Sequence, residues 1–395
     1  MIRRNYNLLA KQCLLWVLIF LSVPIGVYAA DGEEEDELPK AVRFLKKVGT
    51  LLDSMAIRGR DRRYVELPKK PWQVIVQGSV NQSDLKMSTT IDGKSIFGDD
   101  FGDIYWESQL QTRISSYAGV WVGYRGYGIG YSTALGHHEG SLLKFGAIGG
   151  SYGVNLRISR FEANEPSIRM SGYMPDWQED YIPNYTLDKP IRVRTMTLDG
   201  YYLFNSKRYS YSAAYDQTLI QKRSAGSLMA GAVYYHSSVA YDNDLDADFI
   251  MFMDDIGTIK QSQLNIGAGY TYNFVPCKGL LINAMLMPMV SVFNQVKVWY
   301  FHSGLRDQLY EQQQNPSGTT DDVPFDELYK IRFMGTESEN SRMRVNVDAR
   351  LSVTYNFGNW FVNAYGQFCN FSYRFENSHG RLHDWYINAS VGLRL

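Results

Sequence analysis

The sequence is poor in the residues that hold disulfide scaffolds and metal sites together. It has three cysteines and six histidines in 395 residues. Only Cys277 and Cys369 lie beyond the N-terminal apolar run, too few for a disulfide scaffold, so one bridge and two separate thiols are both open. The histidines show neither HExxH nor a paired Cys/His spacing. We therefore expect neither a metal site nor a cofactor.

Long apolar runs and an excess of basic charge are also missing. Beyond the N-terminal run no stretch approaches the roughly 18 continuous apolar residues of a membrane helix, so only a closed barrel could place the chain in lipid. Without residues 1–29, 37 basic residues face 41 acidic ones, which gives a net charge of −4. This balance predicts no nucleic-acid partner.

The N-terminal residues follow the order of a secretory signal. Three basic residues precede the apolar run Cys13–Val23, which ends at Pro24. The run is too short to span a bilayer, and its cysteine opens the run instead of following it. Residues 1–29 are thus predicted to be a cleaved signal peptide without a lipid anchor.

Aromatic residues and glycine are abundant, with 29 Tyr, 19 Phe, 8 Trp and 34 Gly. They suit strands, aromatic girdles and bulges better than helices. The length beyond the signal exceeds most single soluble cores, whereas a barrel grows by adding hairpins.

Strict alternation of apolar and polar residues carries the fold prediction. In 342–357, eight apolar residues from Met343 to Phe357 alternate with eight polar ones. Successive strand side chains point to opposite faces, so one face is apolar and the other polar. The segment exceeds a typical soluble strand of about five or six residues and fits a tilted membrane strand of about nine to eleven. A large secreted β-sandwich is the alternative.

The same alternation recurs in four further segments, each expected to present its apolar residues to lipid. In the last, 384–395, the chain ends on a strand, as outer-membrane barrels do, but on Leu395 where they usually have an aromatic residue. The expected outward sets are Ile148, Tyr152, Val154, Leu156 and Ile158; Tyr209, Tyr211, Ala213 and Tyr215; Leu264, Ile266, Ala268, Tyr270, Tyr272 and Phe274; and Trp385, Ile387, Ala389, Val391, Leu393 and Leu395.

These patterns predict an all-β antiparallel transmembrane barrel of about twelve strands over 71–395, with both ends in the periplasm. Connections 242–258 and 301–340 then face outward, whereas 161–190 falls on the periplasmic side. A further hairpin near 167–173 keeps ten or fourteen strands open. The twelve candidates are 72–91, 106–116, 119–134, 143–160, 191–204, 207–220, 227–241, 260–274, 279–299, 341–357, 360–375 and 384–395.

Residues 30–70 precede the predicted barrel. They comprise an acidic tail, Asp31–Glu37, and a short amphipathic helix with apolar residues between Ala41 and Met55. This helix is expected to cover the barrel mouth or to plug the lumen.

Charged residues of both signs fall on the predicted inner face. They either pair across the interior and close it, or line a water channel. The acidic run Asp242–Asp248 is expected to be a solvated outer loop, because Ala247 and Met253 stand where a calcium-binding EF-hand needs Gly and Glu. The luminal candidates are Arg157, Arg208, Asp216, Arg342, Arg344, Asp348 and Arg350, with Asp199 and Arg394 beside them.

The stretch from Leu198 to Tyr235, which includes FNSKRYSYSAAYDQTLIQKRSAGS, resembles an uncharacterised bacterial family of predicted outer-membrane barrels, labelled only as a domain of unknown function. RDRRYVELPKKPW (60–72), VGYRGYGIGY (122–131) and SYGVNLRI (151–158) are its other landmarks. The resemblance covers nearly all of the chain after Arg60. It implies a barrel in the outer membrane of a Gram-negative bacterium, and no catalytic or ligand residues.

Three functions are open at this point. The first is a passive channel or small-ligand-binding barrel, and the second is a closed structural or interaction barrel that uses its outer loops. The third, a membrane-embedded lipid hydrolase, is not expected, because His236 and Ser237 are adjacent on a strand and point oppositely. The expected partners are outer-membrane lipid, the barrel assembly machinery, and small solutes or an extracellular partner.

Overall fold

The structure is a computed structural model that describes residues 59–92, 103–111, 114–135, 140–163, 167–172, 180–253, 255–305, 307–308, 324–340, 344–375 and 378–395. The chain divides into two compact units, Met1–Arg58 and Gly59–Leu395, and the described residues all belong to the second. The predicted signal peptide, acidic tail and amphipathic helix lie outside the described residues. No helix in the described part of the chain is long and apolar enough to cross a membrane.

Antiparallel strands dominate the described residues. In chain order they are β1 (Val65–Glu66), β2 (Trp72–Asp92), β3 (Asp103–Gln111), β4 (Ser115–Tyr124), β5 (Tyr127–Ala134), β6 (Gly140–Ile148), β7 (Tyr152–Ala163), β8 (Ser167–Gly172), β9 (Asp180–Ile182), β10 (Ile191–Leu203), β11 (Ile220–Gln221), β12 (Ala225–Ala240), β13 (Ile256–Cys277), β14 (Leu280–Ser303), β15 (Ile331–Asn340), β16 (Val345–Phe357), β17 (Trp360–Phe375) and β18 (Ser378–Arg394). Short helices are α1 (Ser212–Tyr215), α2 (Ala247–Phe252) and α3 (Phe325–Leu328), with a 3-10 turn at Asp244–Asp246.

Twelve of these strands close into a ring. In order around it they are β2, β4, β5, β6, β7, β10, β12, β13, β14, β16, β17 and β18, and the seam between β18 and β2 is paired from Gln73–Arg394 to Thr89–Ser378. Closure pairs the backbone N–H and C=O groups of all twelve barrel strands, here called staves, as a chain in lipid requires. The predicted fold class and strand number are therefore confirmed.

The two rims of the ring differ. The chain enters at Trp72 and leaves at Arg394 on one rim, here called the terminal rim, where hairpins turn tightly. Gly126, Gly279 and Gly358 occupy these turns with φ of 95°, 88° and 61°, a region that glycine enters without steric cost. The opposite end, here called the loop rim, carries the long connections. There β15 extends the wall beside β14, and β3, β8 and β9 extend it beside β2.

The predicted number was right because two kinds of error cancel: two candidates are not barrel strands, and two others each contain two barrel strands. The candidates at 119–134 and 143–160 are the hairpins β4–β5 and β6–β7, and 207–220 is not a barrel strand. Most of 106–116 belongs to β3, which lies outside the ring. Five staves precede 161–190 instead of the predicted four, so its described residues lie at the loop rim, opposite to the side predicted for them. The hairpin expected near 167–173 is β8–β9, which lies outside the ring.

The expected faces are confirmed along the regular staves. On β16, Leu351 is 56% exposed on the outer wall, whereas its neighbour Ser352 is 1% exposed inside. The outward sets on β13 and β18 follow the same rule. Ile148, predicted to face outward, is instead buried inside, because the strand ends there and the chain turns at Gly149. The two downstream cysteines are separate thiols, with Cys277 exposed and Cys369 buried.

Candidate functional site: the filled lumen

A connection folds back into the barrel and fills its terminal rim. Residues 204–224, here called the plug, join β10 to β12 and contain helix α1. Tyr209, Tyr211 and Ala213, predicted to face lipid, are 0%, 2% and 1% exposed inside the barrel. The prediction of an outward-facing strand at 207–220 was therefore wrong.

Side chains of the wall hold the plug chiefly by its backbone carbonyls. The interior of the plug has no ladder partners, so these buried acceptors need donors from elsewhere. Four staves supply them: Gln73 Nε2 donates to Asp216 O (2.7 Å), Asn273 Nδ2 to Ser210 O (2.8 Å), Asn363 Nδ2 to Ala214 O (3.1 Å) and Arg394 Nη2 to Gln217 O (2.8 Å).

The plug tyrosines bond to the polar inner wall through their hydroxyls. Tyr215 Oη donates to Asn283 Oδ1 at 2.6 Å, and Asn283 Nδ2 donates to Tyr209 Oη at 3.1 Å. Arg350 Nη1 donates to Tyr211 Oη at 2.6 Å. A buried hydroxyl needs such partners, so these residues fit a polar lumen and not a lipid face.

The residues before the barrel cover the plug from outside. Strand β1 pairs with β11, and Asp61 N donates to Lys207 O at 2.8 Å. Burial lowers the pKa of Arg60 to about 10, while the carboxylate of Asp216 acts in the opposite direction. Arg208 lies exposed on this outer side, with its guanidinium 5.3 Å from the ring of Tyr64.

A charged cluster occupies the middle of the lumen. Arg350 Nη2 lies 2.6 Å from Asp348 Oδ2 and 3.5 Å from Asp199 Oδ2, and its Nε donates to Asp348 Oδ1 at 3.1 Å. Asn155 Nδ2 donates to Asp199 Oδ2 at 2.8 Å. The three charged groups are almost wholly buried, and ion pairing with hydrogen bonds is what permits charges in such a place. Arg350, Asp348, Asp199 and Asn155 are here called the ionic cluster.

A second charged group lies beside this cluster. Arg157 Nη2 is 3.6 Å from Asp384 Oδ2, and its guanidinium is 5.1 Å from the ring of Tyr386. Lys144 Nζ donates to Tyr386 Oη and, at 3.2 Å, to Gln77 Oε1. Sequence reasoning missed Lys144 and Asp384, although the alternation of β6 and β18 would have placed both on the inner face.

A cavity of about 120 Å³ lies between the ionic cluster and the plug. Asp216 Oδ2 and Trp121 Nε1 belong to residues lining it and are buried without a hydrogen-bond partner among the described residues. The Trp121 ring lies against Gly128 and Gly130, where an added Cβ would come within 2.5 and 2.8 Å of the ring. These glycines therefore make the space that the indole fills.

An apolar core fills the loop rim. Helix α2 packs Phe249 and Ile250, both at most 1% exposed, against inward residues of the wall such as Val296. The acidic run before it is not simply solvated, because Asp246 is buried and accepts from the backbone N–H groups of Asp188 (2.8 Å) and Lys189 (3.2 Å). The described residues contain no cluster of three or more side chains suited to a metal.

The seven predicted luminal residues do not form one site. Arg157, Asp216 and Arg350 line the cavity, and Asp348 is bonded to Arg350. Arg344 is half-buried near the loop rim, where its N–H donates to Ser291 Oγ at 2.8 Å. The remaining candidates are Arg208, exposed outside the plug, and Arg342, outside the described residues.

One histidine contact lies on the outer wall. His236 Nδ1 is 2.8 Å from Ser262 Oγ of the neighbouring strand, so its partner is not the adjacent Ser237. Lys260 lies on the same outward face of β13, two residues from Ser262. A nearby cation disfavours the imidazolium that a histidine base becomes when it takes a proton.

The ring, its apolar outer wall and its filled interior define a closed twelve-stranded antiparallel barrel with the fold of outer-membrane barrels. The profile of a family described as Domain of unknown function (DUF4421) matches residues 81–391, and the chain belongs to this family. Comparison with curated proteins gave no match.

Solved outer-membrane barrels are similar to this chain at low sequence identity. The outer membrane protease OmpT from Escherichia coli is 9% identical, with 84% of this chain and 98% of that chain covered and a TM-score of 0.36. The translocator domain of the autotransporter NalP from Neisseria meningitidis is 10% identical, with 89% and 96% covered and a TM-score of 0.31. OprG from Pseudomonas aeruginosa is 9% identical, with 82% and 96% covered and a TM-score of 0.26.

Proposed function

We propose that this protein is an outer-membrane barrel whose lumen is sealed against solutes and whose role is structural or interactive. The observation that carries the proposal is the filling of the lumen at three heights, by the plug, the ionic cluster and the apolar core. A passive channel needs a continuous path for water and ions. Each of these three layers consists of several packed residues, so no single side-chain rotation opens the path.

The ionic cluster supports a sealed lumen more than a wet one. Asp348 is 0% exposed and Arg350 is 8% exposed, so neither charge is hydrated as it would be in an open pore. Their two-point contact, the bond that Arg350 donates to Tyr211 Oη and the bond that Gln367 Nε2 donates to Asp348 Oδ1 replace the lost water. Charges that line a pore for selectivity would instead point into solvent.

The outer wall supports placement in a membrane. Aromatic side chains circle the terminal rim, and apolar residues continue above them. Such a girdle marks a membrane–water interface. With both barrel termini on this rim, we place it on the periplasmic side and the loop rim outside the cell. The exposed girdle residues include Tyr202, Phe204, Tyr272, Phe274, Tyr355, Phe357 and Trp360.

The extensions of the wall at the loop rim support an interaction role. Strand β14 continues beyond the staves that follow it and pairs there with β15. Phe333 and Met334 on β15 are 60% and 64% exposed. An outer strand with exposed apolar side chains is a typical surface for a protein partner.

Conductance in planar bilayers tests the proposal. Protein refolded in detergent, with heat-modifiable gel mobility as evidence of folding, is expected to give no discrete current steps. Replacing the plug interior (206–222) with a Gly/Ser linker should leave it silent, because the apolar core still fills the loop rim. Replacing 243–254 as well, together with Asp348→Ala and Arg350→Ala, removes side chains from all three layers and is expected to produce current. Regular steps from the unaltered protein would refute the sealed lumen.

A second candidate, binding of a small polar molecule, is favoured by the cavity. Its volume is comparable to an engineered cavity of about 150 Å³ that holds benzene, but its lining is polar. Asp216 Oδ2 offers an acceptor and Trp121 Nε1 a donor. Mass spectrometry of small molecules released from protein purified from its native membrane is expected to find a compound that is lost in Asp216→Asn. Release of nothing but water would contradict this function.

A further inference from the structure

Four basic residues form one row across the outer wall near the loop rim. They are Arg160 on β7, Arg194 on β10, Lys260 on β13 and Lys297 on β14, and the strand registers align them across five neighbouring staves, with Ser238 of β12 between Arg194 and Lys260. Arg160 and Arg194 are exposed, and Lys260 and Lys297 are half-buried. These four residues are called the basic row.

The basic row faces away from the lumen. On β13, Lys260 stands between the buried Ile259 and Gln261, and on β14, Lys297 stands between the buried Val296 and Val298. Because strand side chains alternate, each lysine must point outward. The same alternation places the two arginines outside, since Phe161 and Val193 beside them are buried.

The charges of the row lie close together. Lys260 and Lys297 are direct cross-strand partners, as are Arg160 and Arg194, and like charges in such pairs destabilise a sheet. One row higher, Arg192 is held by Asp242 at 2.6 Å. An anion from outside the chain would relieve the repulsion between the two lysines.

An aromatic side chain, Trp299, lies beside the two lysines of the basic row. Trp299 lies on the outward face of β14, with Lys260 Nζ 4.3 Å and Lys297 Nζ 5.0 Å from its ring. Tryptophan collects where the hydrocarbon of a membrane meets its headgroups. The ammonium groups of the two lysines therefore lie at the level of this ring, beside the polar headgroup layer.

The height of the row agrees with this location. Along β13 the outward residues are apolar from Tyr272 to Leu264, which spans about 20 Å of membrane depth at the usual strand rise and tilt. Lys260 is four residues further on, or about 10 Å higher. The distance from the girdle to the basic row is thus about 30 Å, the thickness of a bilayer's hydrocarbon core.

We propose that the basic row binds phosphate groups of anionic membrane lipids in the headgroup layer at the loop rim. Guanidinium and ammonium groups are the usual protein partners of phosphate, and several in a row can hold more than one headgroup. On the seam side of the barrel, Asp84 and His383 face each other at the edge of the apolar wall, and one row higher the exposed Arg381 pairs with Lys86. Lys86 already has an acidic partner, because its Nζ lies 2.6 Å from Glu107 Oε1. The proposed site is therefore the basic row on staves β7–β14.

Native mass spectrometry of the folded protein in detergent tests the proposal. The protein is titrated with phosphatidylglycerol and, separately, with zwitterionic phosphatidylcholine of the same acyl chains. Phosphatidylglycerol is expected to bind more tightly, and each charge removed in the series R194Q, K260Q and K297Q should weaken its binding about fivefold. The matched control K69Q/K70Q removes two exposed charges elsewhere and should leave binding unchanged.

Three results would overturn the proposal. These are equal binding of the two lipids, a triple variant that binds phosphatidylglycerol as the unaltered protein does, and displacement of the lipid by inorganic phosphate at equal concentration, which would indicate a site for free anions. If the triple variant does not fold, the salt dependence of phosphatidylglycerol binding to the unaltered protein is measured instead. Phosphatidylglycerol binding should weaken as sodium chloride rises from 0.05 to 0.5 M, and a constant affinity would refute the site.

Discussion

Removal of Arg350 is the sharpest test of the ionic cluster. The variant Arg350→Met keeps most of the side-chain volume but leaves Asp348 buried at 0% exposure, with Gln367 Nε2 at 3.3 Å as its remaining side-chain donor. Breaking a buried pair in this way costs about 3 to 5 kcal/mol, because one charge stays out of water without its partner. Tyr211 of the plug loses its bond at the same time.

The assay is equilibrium unfolding by urea of protein refolded into lipid vesicles, followed by gel mobility and tryptophan fluorescence. The matched control is the triple variant Asp199→Asn, Asp348→Leu and Arg350→Met, which removes all three charges of the ionic cluster. We expect it to recover most of the loss, since replacing a buried ionic group by uncharged residues is often neutral. A single variant within about 1 kcal/mol of the unaltered protein, or a triple variant no better than the single one, would refute the reasoning.

Three further outcomes are expected. Leu351→Arg on the lipid face should lower the free energy of unfolding by about 2 to 4 kcal/mol in the same vesicles, and an unchanged value would contradict the face assignment. Gly128→Val should displace the Trp121 ring, because its Cβ alone would lie 2.5 Å from the indole, and an unshifted tryptophan emission spectrum would speak against this packing. Ser262→Ala should leave lipid turnover by purified protein at background, as in the unaltered protein; activity lost with this hydroxyl would make His236 and Ser262 catalytic.

The outer and inner faces of the barrel wall were predictable because every stave that crosses lipid presents apolar residues outward and polar residues inward. On β13 and β16 a period of two separates apolar from polar residues over the whole membrane depth. The bulge opposite Leu264 and Asn265 falls on β14, at Val292, so it leaves the alternation of β13 unbroken. The luminal place of Asp348 and Arg350 followed from the same period. Their mutual contact did not, because partners on the inner wall depend on ring size and stagger.

The hairpin at Arg125–Gly126 was missed for a different reason. Reversal of the chain changes which residue parity faces inward, but on β4 and β5 the inner positions include Gly123, Gly128 and Gly130. Glycine counts neither as apolar nor as polar, so the apolar–polar pattern did not show that the inward positions change from odd to even numbers at this turn. The signal that remained was the Arg-Gly pair itself, with φ of 51° and 95°.

The plug was missed because tyrosine fits two environments. Alternating Tyr and Ser from 209 to 212 has the period of a membrane strand. A tyrosine ring can face lipid or fill a lumen, and its hydroxyl decides which only when partners such as Asn283 and Arg350 are known. These partners lie at least 68 residues away along the chain, beyond the reach of any local pattern.

The plug also bears on how the barrel is assembled. Gln73 and Arg394 are register partners on the first and last staves, and they bind consecutive carbonyls, those of Asp216 and Gln217. The tip of the plug therefore ties together the two strands that must meet last. A ring that closed without the plug would bury Gln73 Nε2 without this acceptor and would leave Arg394 Nη2 only the side chain of Asn356, at 2.7 Å. We therefore expect closure of the seam to be more favourable once the plug lies inside.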